Sequence, residues 1–277
     1  MKHKNMAQLR LKTPISYYGG KQKLIPYVLP AIPMDHKLYA EPFCGGAAIF
    51  FSKEQSEIEV LNDTNKELIN FYRVVQNEFS ALEKEIRISL HSRDLHRKAS
   101  VIFNNPDLFT EVKRAWAVWV LTIQSFSSML DGSWGFDVAS KNTTTKKITH
   151  KREAFTEELA IRLQNVQLEC ADALYVIRSR DNAESFFYCD PPYYNSDCGH
   201  YDGYTIEDFE MLLKTLSNIK GRFLLSSYPS PILLEYAKKK KWPMFSIDQN
   251  VSVNAKSGYL KRKVEVLTSN YAWGANS

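Results

Sequence analysis

Long apolar runs are missing from this 277-residue chain. Its longest strongly apolar stretch, Ala115 to Ile123, is far short of the about 20 residues that cross a bilayer. The N-terminal MKHKNMAQLRLK begins basic but has no apolar core behind it, so a secretory signal is not expected. Cysteine is scarce. Cys44, Cys170, Cys189 and Cys198 are widely spaced and form no CxxC pair, which argues against disulfides and a structural zinc site and for a reducing cytoplasm. There is no internal repeat, no long low-complexity tract and no GxGxxG spacing. The last absence counts against a nicotinamide dinucleotide site.

What is present suffices for a globular protein. Hydrophobic residues make up 44% of the chain, enough for a core. The length fits one large domain, or one domain carrying an insertion. Basic residues number 36 against 31 acidic ones, a net charge of +5. They cluster in four places. Lys2, Lys4, Arg10, Lys12, Lys21 and Lys23 stand in an acid-free start. Lys141, Lys146, Lys147, Lys151 and Arg152 form a second group, Lys238 to Lys241 a third, and Lys256, Lys261, Arg262 and Lys263 a fourth. On charge alone, solvated loops and helix ends explain these slightly better than a polyanion-binding surface.

Strand and helix patterns alternate along the chain. Leu38 to Pro42 reads as a strand entering a glycine turn, Ala47 to Lys53 as a helix, and Glu57 to Leu61 as a second strand. Asp63 or Thr64 is placed to cap the next helix, in which Leu68, Ile69, Tyr72, Val75 and Phe79 recur at helical spacing. Residues 77–124 read as helical throughout, and 125–152 as an aperiodic loop of a length that often carries function. Strands resume at Val166 to Cys170, at the strongly apolar Ser185 to Cys189, and at Phe223 to Ser227. Between the last two, Ile206, Phe209, Leu212, Leu213 and Leu216 mark one helix face. Met244 to Val253 and Lys261 to Asn270 fit a terminal hairpin around NAKSGYLK. The pattern predicts an α/β sheet domain of 1–72 and 161–277 interrupted by a helical insertion at 73–160.

Three segments have chemical content. In YAEPFCGGAAIFF, 39–51, a strand ends, glycines turn the chain and a helix begins. Such a turn brings backbone N–H groups up to a ligand. In VLNDTN, 60–65, Asp63 stands at the tip of the next strand, some 18 residues after Gly45. That is the place of an acceptor for ribose hydroxyls, although a helix cap would also explain it. In FFYCDPPYYN, 186–195, a buried strand delivers an acid, two prolines and an aromatic ring to its carboxyl end. Pro191 and Pro192 fix the backbone and remove two N–H donors. Asp190 supplies a carboxylate acceptor and Tyr193 a flat face. Acceptors beside a flat ring suit a planar base with an amino group. A cis-proline turn closing a core strand is the plainer alternative.

The order of these segments resembles the Dam-like, alpha-class adenine-specific DNA methyltransferases over nearly the whole chain. PISYYGGKQKL, 14–24, is similar to the family's N-terminal segment, AEPFCGGAAIFF to its FxGxG cofactor loop, and LNDTN to its second acidic motif. ECADAL, 169–174, resembles the segment whose aspartate lies near the cofactor adenine, and YCDPPY, 188–193, the catalytic motif. The third glycine of FxGxG is Ala47 here. Alanine is harmless there if φ is negative and a burden on the cofactor loop if it is positive.

The resemblance implies a Rossmann-like S-adenosylmethionine-dependent methyltransferase sheet with an inserted, mainly helical target-recognition domain. It implies methyl transfer to the exocyclic amino nitrogen of a flipped-out adenine in double-stranded DNA. Asp190, Pro191, Pro192, Tyr193 and Lys21 would be catalytic. Tyr17, Lys21, Phe43, Gly45, Asp63, Asp172 and Asp190 would bind S-adenosylmethionine. With DNA as substrate, Lys146, Lys147, Lys151, Arg152, Lys261 and Arg262 become phosphate contacts, whereas Lys238 to Lys241 keep their reading as a helix end. No metal and no membrane partner are expected, and a monomer is favoured. Methylation of RNA or of a protein glutamine are rival readings, but these typically go with NPPY. A DNA-binding relative that has lost catalysis is a third.

Overall fold

The structure, a computed structural model, describes residues 11–138, 143–195, 203–250 and 262–273. Its strands are β1 (Leu38–Glu41), β2 (Ile58–Asn62), β3 (Gln167–Glu169), β4 (Ser185–Cys189), β5 (Arg222–Ser227), β6 (Met244–Asn250) and β7 (Arg262–Ser269). They form a seven-stranded sheet in the order β3-β2-β1-β4-β5-β7-β6. β1 runs parallel to β2 and β4, and β4 runs parallel to β5. β7 runs antiparallel to β5 and β6. The strand order reverses between β1 and β4. Open α/β sheets bind ligands beyond the carboxyl ends of their strands at such a switch point.

The helices are α1 (Ile25–Val28), α2 (Ala48–Ser52), α3 (Lys66–Asn77), α4 (Phe79–Arg87), α5 (Arg93–Asn104), α6 (Glu111–Gln124), α7 (Thr143–Glu153), α8 (Glu158–Leu163), α9 (Ala173–Ser179), α10 (Ile206–Leu216) and α11 (Pro231–Lys240). Among the described residues, no helix is long and apolar enough to cross a membrane.

The chain divides into two compact units, one of residues 1–25, 44–55 and 63–170, the other of 26–43, 56–62 and 171–277. This division differs from the sequence boundaries. Position 72 falls inside α3, and the glycine turn with α2 groups with the helices.

In the sheet unit, β4 is buried at every position, as a strand covered on both faces must be. Phe187 and Cys189 pack with Phe223 and Leu225 of β5 and with Phe209, Leu212 and Leu213 of α10. α10 starts at Thr205, which exchanges hydrogen bonds with Asp208 in a capping box. The expected hairpin forms as β6 and β7. Residues 251–261, including Lys256 and Lys261, lie outside the described residues, as do the side chains of Arg262 and Lys263.

In the helical unit, the apolar stretch 115–123 is the middle of α6 and is buried along its length. The sequence predicts Asp63 or Thr64 as the cap of α3, but the N-cap is Asn65, whose side chain accepts from Glu67 and Leu68 N–H. The expected loop 125–152 is also corrected: its last part, Thr143–Glu153, is the helix α7. That helix is rich in threonine and lysine and buries only Ile148, so it carries no apolar periodicity to read. Hydrogen bonds hold it instead, from Lys147 Nζ to Ser128 Oγ at 2.9 Å and from Lys151 Nζ to Ile15 O at 2.9 Å.

Candidate functional site

The helical unit holds the glycine turn. Gly45 has φ +47° and Ala47 φ +50°, ψ +41°. Both are left-handed, and alanine pays about 1–2 kcal/mol there. The Tyr17 side chain lies on the turn. A Cβ at Gly45 would come within 3.1 Å of its ring, and one at Gly46 within 3.0 Å of its Cβ. Asp63 supports the turn from the other direction: its Oδ2 accepts from Gly45 N–H at 3.1 Å and its Oδ1 from Asn65 N–H at 2.9 Å. Burial pushes its pKa above the ordinary carboxylate value, against the pull of those two N–H donors. Tyr72 Oη donates to Gly45 O at 2.7 Å. Lys21 Nζ donates to Gly19 O at 3.1 Å, within the turn that Gly20 N–H closes on Tyr17 O. Tyr17 and Asp63 thus both meet the turn at Gly45. Because Asn65 takes over capping, the Asp63 carboxylate serves the turn.

The phosphate contacts expected on α7 are placed differently from one another. Lys146 is exposed. Lys147 donates to Ser128. Lys151 donates to Thr13 O, Thr13 Oγ1 and Ile15 O, and Arg152 to Ser89 O. Burial, with the charges of Lys147 and Lys12, pushes the Lys151 amine down to about 7. Trp134 stacks with His91, at 4.7 Å, and with Phe136, at 5.4 Å, and the Arg93 guanidinium lies 4.6 Å from its ring centre.

The sheet unit holds the DPPY segment at the end of β4. Neither proline bond is cis. Pro191 and Tyr193 are buried, whereas Asp190 and Pro192 are half-buried. Tyr193 Oη lies 3.1 Å from Asp190 Oδ1 and 3.2 Å from Ser226 Oγ, and it also contacts Glu265 Oε1. Ser226 Oγ donates to Glu265 Oε1 at 2.8 Å. Burial, then the charges of Asp190 and Glu265, pushes the Tyr193 phenol well above its ordinary value, so it keeps its proton. The Tyr193 ring meets Tyr228 edge-on at 4.4 Å. Cys189 is buried, and that burial together with the Asp190 charge holds its thiol protonated, consistent with its reading as a bystander.

Two further expected cofactor residues belong to the sheet unit. Phe43 packs on its core and meets Tyr204 edge-on at 6.5 Å. Asp172 caps α9, its Oδ1 accepting from Tyr175 N–H at 2.8 Å. Asn62, beside Asp63 in sequence, is fully buried. Its Nδ2 donates to Pro42 O at 2.8 Å and Ala171 O at 3.1 Å, and its Oδ1 accepts from Ala171 N–H at 2.9 Å. Sequence reading misses Ser226, Glu265 and Asn62. A charge amid the apolar VEVL of β7 is the one signal that marks Glu265.

The model of the D12 class N6 adenine-specific DNA methyltransferases matches residues 17–254. The chain belongs to that family and is an adenine-specific DNA methyltransferase. It is 27% identical over 293 residues to Type II methyltransferase M1.LlaDCHI of Lactococcus lactis subsp. cremoris, covering 97% of this chain and 98% of that one. It is 26% identical to Type II methyltransferase M.CviBI of Paramecium bursaria Chlorella virus NC1A, over 85% of this chain and 94% of the other. Against the DNA adenine methylase of Haemophilus influenzae it is 21% identical, over 89% and 90%. Among solved structures, the rRNA methyltransferase aviRa from Streptomyces viridochromogenes superposes with a TM-score of 0.38 at 12% identity, covering 90% of this chain and 83% of that one. The family uses S-adenosylmethionine, and the glycine turn suits it: side chains are excluded at Gly45 and Gly46, and a buried carboxylate stands behind them.

Proposed function

We propose that this chain methylates N6 of an adenine rotated out of double-stranded DNA, using Asp190 and the Pro191 carbonyl as acceptors for the amine. The observation that carries this reading is the placement of Asp190 and Tyr193 at the end of β4, at the sheet's switch point, with Tyr193 Oη 3.1 Å from Asp190 Oδ1. An adenine amine inside the stack is out of reach, so enzymes acting on a base extrude it for a few kcal/mol. Tyr193 offers its face to the extruded base, a contact of about 1–3 kcal/mol in single-strand binders. The amine is a poor nucleophile because its lone pair is spread into the ring. Two acceptors for its two hydrogens draw the nitrogen toward tetrahedral geometry and localise that pair. Asp190 then takes the proton that the nitrogen sheds.

S-adenosylmethionine supplies the electrophilic methyl group. By the family resemblance, Tyr17, Phe43, Gly45, Asp63 and Asp172 are the residues proposed to hold it. Lys21 is assigned to the catalytic edge. The reaction draws on no metal. The helical segment 73–160 is assigned to target recognition. Within it, Lys146 is the α7 lysine proposed to meet phosphate, and Lys261 and Arg262 are proposed to do so as well. Lys147, Lys151 and Arg152 are assigned to holding the fold. A cytoplasmic monomer is the state that goes with this reading.

The test is Asp190→Ala. Methyl transfer to DNA should be abolished, while a calorimetric titration with S-adenosylmethionine should stay close to that of the unaltered protein. Normal turnover by this variant would remove Asp190 from the chemistry.

A further inference from the structure

Tyr193 has one hydroxyl proton and two carboxylates to give it to. Asp190 Oδ1 lies 3.1 Å from its oxygen, and Glu265 Oε1 is in contact with it. Glu265 stands on β7, buried, and its Oε1 already accepts from Ser226 Oγ at 2.8 Å. Ser226 is itself fully buried at the end of β5. β5 lies between β4, which carries Asp190, and β7. Three neighbouring strands therefore converge their side chains on one phenolic oxygen. A buried carboxylate is costly unless several donors satisfy it, so Glu265 is held for a purpose other than packing.

We infer that Glu265 is a positioning residue for methyl transfer: it holds the Tyr193 hydroxyl, and thereby sets the aromatic face that meets the base and the direction of the phenol proton. This rests on the assignment of Asp190 and Tyr193 to the base. With the phenol proton directed toward Glu265, Asp190 Oδ1 keeps its capacity to accept. The hydrogen it accepts comes from the substrate amine. The nitrogen–hydrogen bond breaks, its electron pair stays on nitrogen, and an oxygen–hydrogen bond forms on Asp190. That new carboxyl donates to Tyr193 Oη while Tyr193 continues to donate to Glu265. If the phenol proton were instead directed toward Asp190, it would occupy the oxygen that the amine needs.

The experiment compares Glu265→Leu, Glu265→Gln, Tyr193→Phe and the double variants that combine Tyr193→Phe with each Glu265 substitution, all in the full chain. Three readings are taken: single-turnover methylation, KM for duplex DNA, and the fluorescence of 2-aminopurine placed at the target adenine. Glu265→Leu should lower the transfer rate on the order of 100-fold, the scale of a small misplacement in a reacting site. KM for DNA should change less than about 3-fold, because the residue acts after DNA is bound. The 2-aminopurine signal should report extrusion with altered stacking. Glu265→Gln keeps an acceptor oxygen for Tyr193 and Ser226 and should recover most of the rate.

In the Tyr193→Phe background, Glu265→Leu should cost little further, since the hydroxyl it acts through is gone. An equal loss in both backgrounds would overturn the inference, and so would an undiminished rate in the leucine variant. If Glu265→Leu does not fold, Glu265→Gln decides in its place, alone and combined with Tyr193→Phe. Equal rates for Glu265→Gln with and without the hydroxyl refute the role. Failure of the underlying assignment is distinguishable, because Asp190→Ala would then retain transfer whatever Glu265 does.

Discussion

Lys151 turns its ammonium inward onto Thr13, with Nζ 2.5 Å from the Thr13 carbonyl and 3.1 Å from its hydroxyl, and reaches Ile15 O at 2.9 Å. Four positions earlier, on the same face of α7, Lys147 reaches Ser128 at 2.9 Å. Two lysines one turn apart thus fasten the helix to the segment that leads into Tyr17 on one side and to the 125–138 loop on the other.

The buried amine gives stability a dependence on pH. Its folded pKa is pushed down to about 7 by burial and by Lys147 and Lys12, against about 10.4 in an unfolded chain. Below pH 7 both states are protonated. Between these two values the unfolded state holds the proton more tightly, so this group makes stability rise with pH across that window. Thermal unfolding at pH 6.5 and pH 9 should show a larger gain for the unaltered protein than for Lys151→Met. Parallel behaviour of the two proteins would mean that the amine stays charged in the fold.

Ala47 is the departure from the glycine pattern, and its φ is positive. Ala47→Gly removes about 1–2 kcal/mol of left-handed strain and loses about 0.4–1 kcal/mol to the looser unfolded chain. Denaturant unfolding should show a net gain of about 0–1.6 kcal/mol, with cofactor affinity equal or better. A loss of stability would show that the methyl group contributes packing worth more than the strain.

Asp63→Ala should weaken S-adenosylmethionine binding by about 1.5–3 kcal/mol, the worth of a charged hydrogen-bond set. Gly45 N–H loses its acceptor in the same variant, so the turn loosens as well. DNA binding without cofactor should hold. Unchanged affinity in a cofactor titration would confine Asp63 to a structural role.

Lys146 and Lys147 are adjacent in sequence but not in task. Lys146→Gln should reduce the salt slope of DNA binding by about 0.9, the contribution of one phosphate. Lys147→Gln releases Ser128 and should instead alter the preference among DNA sites, which is read by base contacts and not by phosphate. A salt titration of each variant, with a methylation profile over many sites, separates the two. Identical effects of both substitutions would count against this division.

The placements legible in the sequence are those fixed by near neighbours. DPPY follows directly on its buried strand, and Gly45 and Asp63 each sit at a strand tip that periodicity locates. The illegible ones depend on distant partners. Glu265 meets Tyr193 across 72 positions, and Lys151 meets Thr13 across 138. No local pattern carries such pairings. α7 is hidden for a related reason: long-range side-chain hydrogen bonds hold it where an apolar stripe would otherwise be visible. The Asn65 cap escapes notice because three polar residues in a row, Asp63, Thr64 and Asn65, are all acceptable caps by type.

Asn62 joins the chain after β1, the end of β2 and the approach to α9 through one side-chain amide. Segments tied through a shared buried group open as one cooperative unit, not one at a time. The exchange rate of the Ala171 amide proton is thereby tied to the state of the loops on either side of it. The stretches that run into Phe43 and Asp172 thus share a single buried tie, which lies in neither of those residues.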